Sequence, residues 1–337
     1  MKRSLPSLLV IGLLSALLAS CGSSTTVQQT VATPATSSHG HNGRIAWVGF
    51  LDQNLTVSAI FSANADGSNI HQLSHPSNDS KDFSPDWSPD GSKIIFVHGS
   101  TDQDVGDLYI MNADGTGLNL IDACTGSCLG IDEGAWSPDG TQIAYSRAGG
   151  YERPDGNPII EAIWVMQADS SHSVQLTHPL LNFADRQPSW SPDGKQVVFG
   201  RSPIADVTGD QVLFIVNRDG TGLKQLTSWG QLKAGDAHWS PDGQRILFQS
   251  FGNYPAGSTP QIYTILPDGT HLVQLTTNER NTYPAWSPDG TKIIFAHRST
   301  TEDSYGHIYQ MNPDGSGLVQ VTKNGLWQIA PAWGTHP

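Results

Sequence analysis

The chain has 337 residues, 35 of them Gly and 21 Pro, with 15% charged residues and a formal net charge of −13. Such a composition points to many short strands joined by tight turns and away from long amphipathic helices. With 31 Asp and Glu against 18 Lys and Arg, the chain offers no basic face for phosphate, which excludes a nucleic-acid partner.

Lys2 and Arg3 precede a largely apolar stretch from Leu5 to Leu18, and Ala19 and Ser20 follow. Residues 1–20 therefore read as a secretory signal peptide. Interrupted by Pro6, Ser7, Gly12 and Ser15, the stretch falls short of the about 20 apolar residues a membrane span needs. Its end, Leu18-Ala19-Ser20-Cys21, resembles the lipobox of bacterial lipoproteins. That resemblance implies cleavage before Cys21, diacylation of the cysteine and a lipid membrane as the first partner. The alternative is an ordinary thiol beside a signal-peptidase site. Gly22 stands where an Asp would resemble an inner-membrane retention signal, which points to an outer membrane, on its periplasmic side or at the cell surface. The lipidated Cys and a flexible Ser/Thr-rich tether make up residues 21–42. Such a polar coil spans about 25 Å and lets a folded body stand clear of the membrane. Without residues 1–20 the chain has 16 basic against 31 acidic residues, a net charge of −15.

From residue 43 onward the chain repeats. Ile45-Ala46-Trp47 opens the first unit, and Trp-Ser-Pro-Asp-Gly then begins at Trp87, Trp136, Trp190, Trp239 and Trp286, with a worn copy at Pro331-Ala332-Trp333-Gly334. Successive tryptophans are 49, 54, 49, 47 and 47 residues apart, a period that signals an array of repeats. After each Gly comes an apolar run ending in an aromatic, as in Ile94-Ile95-Phe96 and Ile246-Leu247-Phe248. A third strand ends in an Asp-Gly turn, as at Leu108 to Gly115, and a short fourth ends near Gln-Leu-Thr, at Leu176, Leu226 and Leu275. The N-terminal piece has three strands with no Trp strand before them, and the C-terminal piece has a Trp strand with nothing after it. Four strands per unit and six units follow, with the last strand completing the first unit so that no sheet edge is left open.

This repeat resembles that of the TolB-like six-bladed β-propellers, whose blades carry the same aromatic-Ser-Pro-Asp-Gly string and a following Asp-Gly hairpin. The resemblance covers residues 43–334. It implies an all-β fold, a six-bladed β-propeller of four-stranded antiparallel blades over residues 43–337, with the ring closed by one C-terminal and three N-terminal strands. Related propellers precede a hydrolase domain in prolyl-oligopeptidase-like enzymes. Here the chain ends three residues after Gly334, and that domain is not expected.

The Trp-Ser-Pro-Asp-Gly string reads as a joint between first and second strands. Proline presets φ, Asp follows in the right-handed region and Gly accepts a positive φ. A catalytic role would require five carboxylates at separated places on a ring to meet one substrate. The second turns, Asn-Ala-Asp-Gly at 112–115, Asn-Arg-Asp-Gly at 217–220 and Asn-Pro-Asp-Gly at 312–315, faintly resemble calcium loops but lack the later bidentate Glu. Cys124 and Cys128 flank Thr-Gly-Ser; a local disulfide is expected, with free thiols or half of a metal site as the alternatives.

Function is expected on the variable loops opposite the motif turns. Two places after the second-strand aromatic stand Gly49, His98, Arg147, Arg201, Ser250 and His297. Three places before each Trp stand Ser84, Glu133, Gln187, Asp236, Tyr283 and Ala330, and His238 immediately precedes Trp239. His98, Glu133, Arg147, Arg201, Asp236, His238, Tyr283 and His297 are the candidate ligand-binding residues, at the loop face and channel mouth. A divalent metal, calcium or a transition metal, is an open alternative at that face, either on His98, His238, His297, Glu133 and Asp236 or on the loop acids Asp102, Asp104, Asp107, Asp206 and Asp210. Ordinary solvent-exposed strand ends explain the same residues. The chain has no Gly-x-Ser-x-Gly, phosphate-loop or His-Glu-x-x-His pattern. The reading that follows is a non-catalytic, membrane-anchored propeller of the cell envelope that binds a protein or peptide partner. The alternatives are a metal-dependent glycan lyase or hydrolase, and a carbohydrate-binding or sensory ectodomain that stacks sugars on Tyr151, Trp229, Tyr254 or Tyr283.

Overall fold

The computed structural model describes residues 42–100, 105–125, 128–149, 161–180, 182–204, 210–250, 259–299, 306–323 and 325–335. The signal segment, Cys21 and the tether up to residue 41 lie outside the described residues, as do Asp102, Asp104, Asp206, Tyr151 and Tyr254.

All the regular structure described is β. The first three strands are β1 (Asn42–Phe50), β2 (Ser58–Asn64) and β3 (His71–Gln72). A group of four follows: β4 (Ser80–Trp87), β5 (Lys93–Ser100), β6 (Gly106–Asn112) and β7 (Asn119–Asp122). The next is β8 (Cys128–Trp136), β9 (Gln142–Gly149), β10 (Glu161–Gln167) and β11 (Val174–Gln175). Then come β12 (Phe183–Trp190), β13 (Gln196–Pro203), β14 (Val212–Asn217) and β15 (Lys224–Gln225). The fourth group is β16 (Ala234–Trp239), β17 (Ile246–Ser250), β18 (Gln261–Ile265) and β19 (Val273–Gln274). The last strands are β20 (Arg280–Trp286), β21 (Ile293–Arg298), β22 (His307–Met311), β23 (Val319–Gln320) and β24 (Gln328–Thr335).

Within each group the strands pair antiparallel in sequence order, and β24 pairs with β1 through Ile45↔Trp333 and Val48↔Ile329. One C-terminal and three N-terminal strands therefore share a sheet. The sheets that begin with β4, β8 and β12 are not separate. Single pairings, Gly106↔Ile131 and Glu161↔Ala184, run them together, because neighbouring backbones come close there. At Gly106 an added Cβ would lie 2.0 Å from the His98 carbonyl oxygen. β1 starts at Asn42, inside the expected tether, and the Asn42 Nδ2 donates to Asp289 Oδ2 at 2.9 Å.

The motif turns close on themselves. The Ser137 Oγ donates to Asp139 Oδ1 at 2.6 Å and accepts the Gln142 N–H at 2.9 Å, while the Gly140 N–H donates to the Ser137 carbonyl at 2.9 Å. Thr141 N–H completes the turn on Asp139 Oδ1 at 3.0 Å, and Gly140 takes φ 69°. The same serine–aspartate bond recurs at Ser88–Asp90, Ser191–Asp193, Ser240–Asp242 and Ser287–Asp289. Held first of all by the Ser137 hydroxyl, the Asp139 carboxyl falls to about 2. The motif carboxylates are thus occupied by their own hairpins. Those of the second turns behave alike: Asp114, Asp219 and Asp314 accept the N–H two residues on. Ser137 is 1% exposed, so Ser137→Ala strips the Gln142 N–H of a buried acceptor. A loss of about 1–2 kcal/mol is expected, read as a lower urea midpoint at unchanged slope; an unmoved midpoint would show that the main-chain bonds hold the turn alone.

The second strands are buried on both faces, and neighbouring residues face different sheets. Ile45 and Trp47 pack toward β21 and β22, whereas Ala46 and Val48 pack toward Ile94 and Phe96 of β5. Ile95 and Val97 join Ile143 and Tyr145, Ala144 joins Val197 and Phe199, and Val198 joins Ile246 and Phe248. Leu247 joins Ile293 and Phe295. The first strands touch in the succession β4–β8–β12–β16–β20–β24, and β24 touches β4.

Candidate functional site

Each first strand is irregular shortly before its Trp. Its pairing slips between Phe83 and Asp86, Ile131 and Gly134, Arg186 and Ser189, Gly235 and His238, and Thr282 and Ala285, a bulge ahead of every Trp. The slot three before the Trp takes the left-handed conformation at Ser84, Gln187, Asp236, Tyr283 and Ala330, with φ from 48° to 59°. A bulge leaves one residue out of the ladder and turns its strand. Here it brings Ser84, Glu133, Asp236, Tyr283 and Ala330, with Asp86 and His238, to the wall of one cavity of about 210 Å³. Trp87, Trp136, Trp190, Trp286 and Trp333 also line it. All six first strands contribute, from the bulge toward the motif turns.

Burial dominates the chemistry of this cavity. Asp236, 4% exposed, is pushed up to about 7, first by desolvation and then by the nearby Asp132 charge. Asp86 is likewise raised to about 7 by desolvation, against the pull of the Trp136 N–H that it accepts at 2.9 Å. Glu133 is raised by burial and by the like charges of Asp236, Asp132 and Asp86. His238 is driven the other way, down to about 4, by burial. Near neutral pH its imidazole is uncharged.

Side-chain amides tie successive first strands together around the cavity. The Gln187 and Gln249 side-chain amides both donate to the Asp236 carboxylate. The Gln187 Oε1 accepts the Asp236 N–H at 3.1 Å, and the Gln249 Oε1 accepts the Tyr283 N–H at 3.0 Å. Gln249 and Asp86 escaped the sequence reading, and Gln187 was placed in its slot before Trp190 but not among the candidates. Asp86 had a signal, since it occupies the same slot before Trp as His238.

The other candidates do not join this group. His98 Nδ1 meets Asp82 Oδ1 at 2.6 Å, directly across β4 and β5, and its pKa is raised by that hydrogen bond. Arg147 pairs with Asp122 at 3.1 Å and lies over the Trp164 ring. Arg201 grips Asp185 through Nε at 2.5 Å and Nη2 at 2.7 Å, with its guanidinium 4.7 Å from the Phe214 ring centre. His297 sits between Asn281 Oδ1 and Glu279 Oε2, both at 2.8 Å, and its pKa is lowered chiefly by burial. The candidates thus fall into two sets. Glu133, Asp236, His238 and Tyr283 share the cavity that runs from the bulges toward the motif turns. His98, Arg201 and His297 are held within their own repeats and Arg147 by Asp122 of the preceding one, so each spends polar atoms on a neighbour. Among the described residues no three His, Cys, Asp or Glu are grouped to hold a metal ion. Cys124 and Cys128 form a disulfide. Of the loop groups, Asp107 accepts the Cys124 N–H at 2.7 Å, Asp210 the Gly230 N–H at 3.0 Å, and Trp229 packs 5.6 Å from Phe183.

Residues 187–335 match the family described as the TolB β-propeller domain. The fold is TolB-like. TolB of Acinetobacter baumannii superposes with a TM-score of 0.65 at 21% identity, over 86% of this chain and 66% of that one. The oligogalacturonate lyase of Vibrio parahaemolyticus does so with a TM-score of 0.56 at 13% identity, over 85% of this chain and 77% of the lyase. In sequence, 100 residues are 30% identical to the uncharacterised peptidase YuxL of Bacillus subtilis. The stretch is 29% of this chain but spans only 14% of YuxL, and the chain spans just under two thirds of the Acinetobacter TolB. The TolB-like likeness is one of fold and repeat.

Proposed function

We propose that the mature protein is a lipid-anchored, extracytoplasmic six-bladed propeller that binds a protein or peptide partner at its loop face, without catalysis. Six blades and a closed ring are supported by the succession of first-strand contacts that returns from β24 to β4, and by apolar clusters on both faces of the sheet that β24 shares with β1. The observation that carries the binding role is the local pairing of His98, Arg147, Arg201 and His297. These pairs make the loop-side strand ends a rigid mount for the long second-to-third connections, the arrangement on which binding loops are presented. Anchoring places that face in the envelope, by way of acylated Cys21.

Labelled palmitate should enter the wild-type chain and not Cys21→Ser, which should leave the membrane fraction. Cross-linking from the loop face of the anchored protein should then capture the same envelope protein in independent preparations. Label retained by Cys21→Ser removes the anchor, and an absence of any reproducible partner removes the binding role. A second reading, a metal-dependent glycan lyase or hydrolase, draws on the structural likeness to oligogalacturonate lyase. Stoichiometric metal in the purified protein, lost in His238→Ala or His297→Ala, would displace the first reading in its favour.

A further inference from the structure

Arg280, the first residue of β20, and Arg298, the last of β21, stand directly opposite one another in the antiparallel register. Like charges in that relation repel. In a chain with 31 acidic residues and 18 Lys and Arg, an acidic partner would be the ordinary remedy. Neither arginine has one: among the described residues Arg280 makes no ion pair, and Arg298 instead lies with its guanidinium 4.7 Å from the centre of the Trp327 ring. Glu279, the residue before Arg280, is already engaged by His297 Nε2 at 2.8 Å and the Ser299 Oγ at 3.0 Å. By contrast Arg147, Arg186 and Arg201 each meet a carboxylate.

Both arginines line a second cavity of about 280 Å³, which opens at the strand ends opposite the motif turns. Trp327, Phe50, Leu55 and Ile329 line it as well, and Tyr283 is shared with the cavity at the bulges. Two guanidiniums with no carboxylate partner among the described residues, beside aliphatic and aromatic side chains, match a group that is anionic at one end and apolar at the other.

We propose that this cavity binds an acidic peptide, taking a Glu or Asp carboxylate between Arg280 and Arg298 and the adjoining apolar side chain against Trp327, Phe50 and Ile329. Arginine forks suit carboxylates geometrically, and the indole holds the Arg298 fork in place. Inorganic phosphate and sugar acids carry the charge without the apolar part. The net charge of −15 after loss of residues 1–20 disfavours anions at long range, so recognition rests on contact inside the cavity. The inference rests on the loop-face binding role above and names the chemistry of its partner.

The test is calorimetric titration of the full chain in detergent with acetyl-Leu-Glu-Leu-amide, its Gln counterpart, inorganic phosphate and galacturonate. The Glu peptide should bind at least about tenfold more tightly than the other three, and Arg280→Gln or Arg298→Gln should each weaken it by about tenfold or more. Relief of the repulsion should leave the melting temperature of both variants at or above that of wild type, whereas purely structural arginines would lower it. Equal binding of the Gln peptide, binding unchanged in both variants, or phosphate or galacturonate binding as tightly as the Glu peptide would overturn the proposal. Cross-linking to an envelope protein that survives in both variants would overturn this pocket alone; peptide binding without any envelope partner would overturn the wider role alone.

Discussion

Asp185→Ala is expected to destabilise the protein by about 3–5 kcal/mol, the usual result of leaving one charge of a buried pair alone. Asp185 is fully buried and Arg201 is 9% exposed, and the two are joined by two hydrogen bonds across β12 and β13. Burial raises the Asp185 carboxyl and the Arg201 contact lowers it, so the pair exists by geometry and not by solvation. Without the carboxylate the guanidinium keeps, among the described residues, the Phe199 and Phe214 rings. A fall in melting temperature of about 10 °C follows for a domain of this size. The double variant Asp185→Leu with Arg201→Met should recover most of the loss, because two apolar side chains need no partner. If the single variant melts within a degree of wild type, water reaches Arg201 and the pair is not structural.

The second large effect is on pH dependence. Asp86 and Asp236 hold their protons to about pH 7 when folded but have an ordinary carboxyl pKa of 3.8 when unfolded. Between those limits the folded state binds more protons. The contribution of both groups is therefore full below about pH 4 and is lost as pH rises through about 7. Asp86→Asn keeps an oxygen for the Trp136 N–H and removes the titration. It should flatten the decline in stability between pH 5 and 8 and leave the variant about 2–4 kcal/mol more stable than wild type at pH 8. Asp236→Asn should show the same sense with a smaller gain, since one of the Gln187 and Gln249 amides loses its acceptor. Urea unfolding at several pH values reads both. A parallel pH profile for wild type and Asp86→Asn would mean that Asp86 is hydrated in the folded protein. The opposite slope belongs to the motif turns. Asp139, lowered to about 2, gives stability present above about pH 4 and lost as pH falls toward 2.

The turn chemistry was legible residue by residue. Ser137, Asp139, Gly140 and Gln142 interact within six positions of chain, so their spacing encodes the hairpin and also explains why the aspartate recurs in five turns. The apolar run Ile94 to Phe96 was legible for the same reason: a strand buried on both faces has no alternation to hide it. The candidate site was legible only as residue types. Register placed His98 opposite Asp82 and Arg201 opposite Asp185, pairs 16 residues apart that depend on the length of the intervening hairpin. The bulge that turns Asp236 and Tyr283 inward leaves no distinctive residue, because Ser, Gln, Asp, Tyr and Ala all occupy the left-handed slot.

By itself the sequence determined the all-β repeat, the joints between strands and the period of about 50 residues, because each rests on bonds between near neighbours in the chain. Only the tertiary structure decided which polar groups meet. Glu133, Asp236 and Asp86 come from repeats far apart in sequence, and their raised pKa values come from a shared desolvated cavity. Arg280 and Arg298 become a pair only in the register of β20 and β21. Through-space charge and burial are properties of the assembled strands, and no window of the chain contains them.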